Sequence, residues 1–154
     1  YNYLGVSYFK AGDLGQAEVA FKKALELDTD YAMAYNNLGN VHLAQRRFSE
    51  AIAAFNKSIF IDPQLAAAYN GLGVTYYNQG EVSSAWTCWK KALDLDPKQA
   101  DAAYNLGRTL LKSGNKAEAL KYLELFLDIA PEQKYNQDIK QVKAVVERLK
   151  QEIK

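Results

Sequence analysis

The chain has 154 residues, of which 49% are hydrophobic, so it can bury a core and need not be disordered. Its 19 basic and 18 acidic residues leave a net charge of +1, which argues against a broad field that would attract nucleic acid or an anionic membrane. The single cysteine, Cys88, excludes an intrachain disulfide and favours a reducing compartment such as the cytoplasm.

Pairs of leucine and glycine recur along the chain at a constant interval of 34 residues. The four pairs are Leu4-Gly5, Leu38-Gly39, Leu72-Gly73 and Leu106-Gly107. An alanine and a bulky apolar residue follow each pair at the same interval: Ala17 and Phe21, Ala51 and Phe55, Ala85 and Trp89, Ala119 and Leu123. Self-similarity at this period indicates stacked supersecondary units.

Each unit is predicted to contain two helices and two turns. The first helices are predicted at about 1–11, 32–44, 65–78 and 99–112, and the second helices at about 15–27, 48–61, 82–95 and 116–129. Pro63, Pro97 and Pro131 close three units, because the residue before a proline is pushed out of the helical region. The units therefore span residues 1–31, 32–65, 66–99 and 100–131. Tyr1 matches the fourth position of its unit, so we expect that the opening helix is trimmed or that further repeats precede it.

The recurring glycines fall inside the predicted first helices. Glycine in a helix costs about 1 kcal/mol relative to alanine, so some contact must offset this cost at four places. Close approach of a neighbouring helix, which is possible only without a side chain, is the simplest contact of this kind. We therefore predict that these glycines are packing residues.

The third unit carries the fullest set of motif residues: Tyr69, Leu72, Gly73, Tyr76, Gly80, Ala85, Trp89, Ala92 and Pro97. This set resembles the tetratricopeptide repeat, whose pattern runs from a large aromatic residue through leucine-glycine, tyrosine, alanine and a second aromatic residue to proline. The resemblance extends to about Pro131 and implies an all-α solenoid, a right-handed superhelix of antiparallel helix pairs. The chain departs from the pattern at His42, Arg46, Ala103, Leu110 and Phe126.

After Pro131 the pattern changes to a single apolar stripe on a charged helix, predicted over residues 132–154. The stripe consists of Tyr135, Ile139, Val142, Val146, Leu149 and Ile153. A helix of this kind is predicted to cover the last repeat as a C-terminal cap. No apolar run in the chain reaches the roughly 20 residues of a membrane span, so membrane insertion is not expected.

The first helices are expected to line the concave surface of the solenoid, and charges avoid them: residues 32–45 and 65–79 contain no Asp, Glu, Lys or Arg. An amide can donate and accept hydrogen bonds together, so a row of asparagines can bind the backbone of an extended partner peptide. Alternatively, the asparagines are solvated or support neighbouring helices. The candidate partner-binding residues are Asn2, Val6, Asn36, Asn37, Asn40, Asn70, Tyr77, Asn78, Asn105, Arg108 and Lys112.

The resemblance implies that long repeat arrays can use an asparagine ladder on the concave face. Here Asn37 and Asn105 occupy equivalent positions, but Tyr3 and Gly71 interrupt the row.

The resemblance also implies that co-chaperone repeats grip an acidic C-terminal tail with lysine and arginine. The matching positions, Asn2, Val6, Asn37, Ala67 and Gly71, lack those cations, which argues against an acidic chaperone tail as partner. Arg108 and Lys112, one turn apart, either meet an acidic group on another partner or form a solvated face.

The sequence offers little chemistry, and we expect no enzyme activity, metal or cofactor. His42 takes the position of Tyr8 and Tyr76 in other units, which predicts core packing. Cys88 lies on a second helix and is expected to be an inert, buried thiol.

Three functional classes remain. The first is an adaptor that binds a peptide or protein segment in the concave groove. The second is a self-assembling scaffold, in which the open edge of the first repeat, with Tyr1, Leu4 and Tyr8, stacks on another copy. The third is a targeting module of a larger enzyme.

Overall fold

The computed structural model describes residues 1–153, and every regular element in that range is an α-helix. The elements are α1 (Asn2–Lys10), α2 (Leu14–Leu27), α3 (Ala32–Ala44), α4 (Phe48–Ile61), α5 (Ala66–Asn78), α6 (Val82–Leu95), α7 (Ala100–Lys112), α8 (Lys116–Ile129) and α9 (Glu132–Glu152). The eight helices of the predicted pairs begin and end within about a residue of the expected positions. This agreement is as close as helix ends can be defined. No helix within residues 1–153 combines the length and the apolar composition needed to cross a bilayer.

The turn inside each helix pair needs one residue with a left-handed backbone. Gly12, Gly80 and Gly114 supply it with φ values of 82°, 85° and 85°. Arg46 takes the same place in the second pair with φ of 60°, although side chains disfavour that region. The turn geometry is therefore kept even where the sequence departs from the repeat pattern.

An aspartate ends the second helix of each of the first three pairs. Asp28, Asp62 and Asp96 accept a hydrogen bond on Oδ1 from the backbone N–H two residues later, at 3.1, 2.9 and 3.0 Å. This local bond competes with continuation of the helix and turns the chain toward the next first helix.

Three of the four recurring glycines, Gly5, Gly39 and Gly107, are packing residues, as predicted, and Gly71, which is outside the recurring set, packs in the same way. A Cβ atom added to Gly39 would lie 2.7 Å from the ring of Phe55, and one added to Gly71 would lie 2.4 Å from the same ring. Distances this short are not compatible with real carbon contacts, so the ring occupies the space that a side chain would need. The equivalent contacts are Gly5 with Phe21 at 2.5 Å and Gly107 with Leu123 at 2.7 Å.

The helices form two compact units, Tyr1–Cys88 and Trp89–Lys154, and the boundary falls within α6. The first unit contains two buried clusters, each built from one second helix and the first helix that follows it. The clusters are Ala17, Phe21, Leu38 and Val41, and Ala51, Phe55, Ala68 and Leu72.

In the second unit, α9 packs on the last helix pair. The ring of Tyr135 meets that of Phe126 edge to face, with centroids 5.5 Å apart. Five of the six predicted stripe residues are buried: Tyr135, Ile139, Val142, Val146 and Leu149. The prediction for Ile153 was wrong: it is 44% exposed, because α9 ends at Glu152 before the stripe makes another turn. The last residue of the predicted cap, Lys154, lies outside the described residues.

Candidate functional site

Two asparagines and a tyrosine link α1 to the start of α3 through their side chains. Asn37 Nδ2 donates to Asn2 Oδ1 at 3.0 Å, and Asn2 Nδ2 donates to the Tyr31 hydroxyl at 3.1 Å. Asn36 Nδ2 reaches Asn37 Oδ1 at 3.5 Å. Each amide has two N–H groups and two acceptor lone pairs, so Asn2 and Asn37 keep capacity for further bonds. Asn2 and Asn37 therefore link α1 to α3 and retain unused hydrogen-bond donors and acceptors.

Asn36 was predicted to lie on the partner-binding surface, but it is buried. Its side chain is only 4% exposed, because its position on α3 faces the packed interior and not solvent. Its Oδ1 atom and that of Asn70, 34 residues later, are buried without a hydrogen-bond partner among residues 1–153. Asn36 cannot meet a partner in this arrangement, and the more exposed Asn37 and Asn40 remain the amide candidates on α3.

The other candidates on the first helices differ in exposure. Val6, Tyr77 and Asn105 are half-buried, whereas Asn78 is exposed. Asn78 Nδ2 donates to the carbonyl of Val74 at 2.8 Å, so part of its capacity is used within its own helix.

A cleft of about 280 Å³ lies in the second unit. Its lining comes from α7, α8 and α9: Tyr104, Arg108, Leu111, Lys112, Leu123, Gln141, Val142 and Val145. We call it the basic cleft, because Arg108 and Lys112 are exposed along one side. The sequence predicted both cations as candidates, but it did not predict that α9 contributes to the same site.

The contribution of α9 to the cleft could have been inferred from Val145 in the sequence. It is an apolar residue beside the buried stripe and not within it, and it is only half-buried. An apolar residue outside the packing face of a charged helix needs another contact, and here it lines the basic cleft.

The charged groups at the basic cleft form one short network. Arg108 lies over the ring of Tyr104, with Cζ 5.1 Å from the ring centroid. The Tyr104 hydroxyl donates to Asp138 Oδ1 at 2.9 Å, and burial raises the pKa of Tyr104 above its ordinary value of 10.0. No carboxylate forms an ion pair with Arg108 within residues 1–153, so a positive charge faces the cleft.

The two reactive groups noted in the sequence differ in burial: His42 is buried, whereas Cys88 is half-buried and not fully buried as predicted. His42 is 7% exposed, which confirms its predicted core position. Burial raises the pKa of the Cys88 thiol to about 11, so this thiol is protonated and weakly nucleophilic near neutral pH. No group of three His, Cys, Asp or Glu side chains that could hold a metal ion occurs within residues 1–153.

The sequence profile of the tetratricopeptide repeat matches residues 4–66 and 70–134, which together make up most of the chain. The chain belongs to the tetratricopeptide repeat family. Its fold class is accordingly an all-α solenoid of tetratricopeptide repeats. Tetratricopeptide repeats form protein-interaction and scaffold modules, and the family as a whole is not catalytic.

Several solved tetratricopeptide structures resemble the chain. A crystal structure of MamA is 30% identical, with a TM-score of 0.75, over 88% of this chain and 78% of that chain. Another crystal structure of MamA is 25% identical, with a TM-score of 0.71, over 96% of this chain and 83% of that chain. MamA from Desulfovibrio magneticus RS-1 is 23% identical, with a TM-score of 0.71, over 89% of this chain and 75% of that chain. At this identity the likeness supports the fold alone. No curated protein sequence matches the chain significantly.

Proposed function

We propose that this chain is a non-enzymatic adaptor that binds a peptide or protein segment in the concave groove lined by the first helices of its repeats. The observation that carries the proposal is the uncharged amide surface of α1 and α3, where Asn2 and Asn37 are linked and half-exposed. Ordered amides with spare donors and acceptors can bind a peptide backbone of any sequence. A solvated polar face would more often carry charged residues, and residues 32–45 have no Asp, Glu, Lys or Arg.

The strength expected of such a surface follows from ordinary hydrogen bonds. Each neutral bond contributes only about 0.5–1.5 kcal/mol net, so a partner must engage several amides together. The removal of Asn37 and Asn40 is therefore expected to weaken binding by roughly 1–3 kcal/mol. Action in a reducing compartment such as the cytoplasm agrees with the single thiol, Cys88.

The test compares the parent with Asn37→Ala/Asn40→Ala in pull-downs from lysate of the source organism, followed by mass spectrometry. The matched control is Asn56→Ala/Asn136→Ala, because these two asparagines are exposed on α4 and α9 and lie outside the proposed groove. Circular dichroism first establishes that all three proteins are equally folded. We expect partners that are captured by the parent and the control but lost with the groove variant. Equal capture by all three would exclude the groove as the binding site.

A second candidate function is self-association. Tyr1, Leu4 and Val19 are 60%, 47% and 63% exposed and lie together at a cleft of about 460 Å³ between α1 and α2. Exposed apolar residues in one patch mark interaction surfaces, and a second copy of this chain is the occupant we propose. Sedimentation velocity over a range of concentrations is expected to show dimers for the parent and monomers for Leu4→Asp. The control, Leu27→Asp, alters an exposed leucine outside the cleft.

A further inference from the structure

We propose that Tyr35, Lys57 and Phe60 form a docking surface for a partner segment that presents a carboxylate beside an apolar side chain. We call these three residues the Phe60 patch. They lie on α3 and α4, so the patch belongs wholly to the unit Tyr1–Cys88. The asparagines of the concave groove take no part in it, and the proposal therefore stands apart from the proposed function.

Phe60 is an exposed aromatic ring at a position where the other repeats carry an acid. It is 77% exposed in the last turn of α4, and the equivalent residues of the other three repeats are Glu26, Asp94 and Asp128. Charged residues are usual on the solvent face of a helix of this kind. Aromatic side chains on an exposed face are instead enriched at sites of protein contact.

The same replacement removes the counter-ion of a lysine. In the first repeat, Lys23 Nζ lies 2.6 Å from Glu26 Oε2, which is one turn later on α2. The second repeat keeps the lysine as Lys57 but has Phe60 in place of the acid. Within residues 1–153 no carboxylate forms an ion pair with Lys57. The second repeat therefore presents a positive charge beside apolar surface, where the first repeat presents a neutralised pair.

The contacts that Lys57 does make leave it able to bind a carboxylate. Its Nζ atom lies 5.4 Å from the centroid of the Phe60 ring and 5.9 Å from that of the Tyr35 ring. Cation–π contacts at exposed sites are weak and do not use up the three N–H donors of an ammonium group. Between the two patch residues of α4, Ser58 is 0% exposed, and its Oγ donates to the carbonyl of Ala32 at 2.8 Å. This bond ties α4 to the start of α3, so the patch lies on a fixed pair of helices.

The chemistry of the partner follows from the two halves of the patch. A carboxylate would form a charge-assisted hydrogen bond with Lys57, and an apolar side chain next to it would remove the Phe60 ring from water. Covering the ring also excludes water from the charge pair and so strengthens it. A nucleic acid or a phosphate cluster calls for several cations, and the patch has one. The partner is therefore an acidic and apolar protein segment.

The test is a selection from a library of random peptides with the full chain as bait, in which peptides that also bind Phe60→Glu are discarded. This variant gives the second repeat the lysine and glutamate spacing of the first, so it supplies Lys57 with a counter-ion within the chain. Circular dichroism establishes that it is folded like the parent. We expect the remaining peptides to carry glutamate or aspartate beside leucine, isoleucine, valine or phenylalanine.

Fluorescence anisotropy then measures the affinity of a selected peptide with blocked ends. Phe60→Glu should weaken binding by at least about tenfold, because it removes the apolar contact and places an acid against an acid. Lys57→Gln should weaken it about threefold, and so should conversion of the acidic residue of the peptide to its amide. Added salt should weaken binding to the parent more than binding to Lys57→Gln, since salt screens exposed charge pairs.

Matched controls separate the patch from general effects of charge. Lys91→Gln alters the equivalent lysine of the third repeat, which has an acid, Asp94, three positions later. Ile153→Glu places an acid at a different apolar position, which is 44% exposed. Both controls, and the groove variant Asn37→Ala/Asn40→Ala, should change the affinity by less than about twofold.

Three results would overturn the proposal. The first is a selection in which no peptide requires Phe60, or in which the peptides that require it lack an acidic residue. The second is a loss of affinity in the controls as large as that in the patch variants. The third is that sedimentation velocity shows dimers for the parent and monomers for Phe60→Glu, because the occupant would then be a second copy of the chain. None of these results bears on the concave groove, which is tested by its own variant.

Discussion

The ring of Phe55 explains why glycine occurs in the middle of both α3 and α5. The ring is 0% exposed, and it occupies the space beside Gly39 on one helix and Gly71 on the next. The helix-propensity cost of about 1 kcal/mol per glycine is offset by the burial of a large aromatic side chain of α4 that packs against both α3 and α5.

Opposite effects are predicted for alanine at two glycines. Gly71→Ala should destabilise the chain by about 1–3 kcal/mol, because the new Cβ would lie 2.4 Å from a buried ring. Gly15→Ala on α2 should stabilise it by up to about 1 kcal/mol, because the nearest atom, Asp13 Oδ1, is 3.7 Å away. Urea unfolding measures the change in the free energy of unfolding for each variant. Destabilisation by both variants would contradict the view that contact with the Phe55 ring decides the effect of alanine.

The positive φ of Arg46 gives a further prediction at the same scale. A side chain in the left-handed region costs about 1–2 kcal/mol, whereas glycine there costs only the extra entropy of the unfolded chain. Arg46→Gly should therefore stabilise the chain by about 0.5–1 kcal/mol. Loss of the interaction between Arg46 Cζ and the Phe48 ring, whose centroid is 5.9 Å away, reduces this gain. The reverse change, Gly80→Arg, should be destabilising in the same unfolding assay.

At the scale of elements, the capping helix is held mainly by its apolar face. Its polar links are Tyr135 to Asp101 at 2.7 Å and Tyr104 to Asp138 at 2.9 Å, together with exposed ion pairs. Exposed ion pairs contribute about 0–1 kcal/mol each, whereas a buried leucine contributes several times more. The apolar stripe of α9 should therefore contribute more than its charged residues to the packing of the capping helix on α8.

A matched pair of truncations tests that expectation. Leu149→Ala should cost about 2–5 kcal/mol, because Leu149 is 0% exposed and its loss leaves a cavity. Ile153→Ala should change the free energy of unfolding by less than about 0.5 kcal/mol, because Ile153 is 44% exposed at the end of the helix. Equal effects in urea unfolding would mean that the cap packs differently from the arrangement described above.

For the whole molecule, acid is predicted to reduce stability in two separate pH ranges. Burial lowers the pKa of His42 below its ordinary value of 6.5, and the positive charge of Arg47 lowers it further. The hydrogen bond from Lys22, with a further one from Arg47, lowers the pKa of Glu18 from 4.5 to about 2. In both cases the unfolded chain takes up a proton before the folded chain does, so stability falls as the pH falls.

The signs place His42 in the upper range and Glu18 in the lower range, where the lowered pKa of Glu152 acts in the same direction. The contribution of His42 is full above pH 6.5 and is lost as the pH falls from there toward the lower folded pKa. The contribution of Glu18 is full above pH 4.5 and is lost between 4.5 and about 2. His42→Tyr introduces the residue of the first and third repeats and should reduce the loss of stability in the upper pH range. Glu18→Gln should reduce it in the lower pH range. Urea midpoints across the pH series are the measurement, and an unchanged slope in either variant would contradict the assignment.

By itself, the sequence determined the helix pairs, the turns and the capping helix, because the 34-residue interval and the apolar spacing are local patterns that dictate backbone structure. It also predicted Arg108 and Lys112 as candidates. Only the tertiary structure decided that Asn36 is buried beside the half-exposed Asn37, and that Val145 joins the basic cleft. Exposure depends on helices that are distant in sequence, and no local pattern specifies how closely two such helices approach.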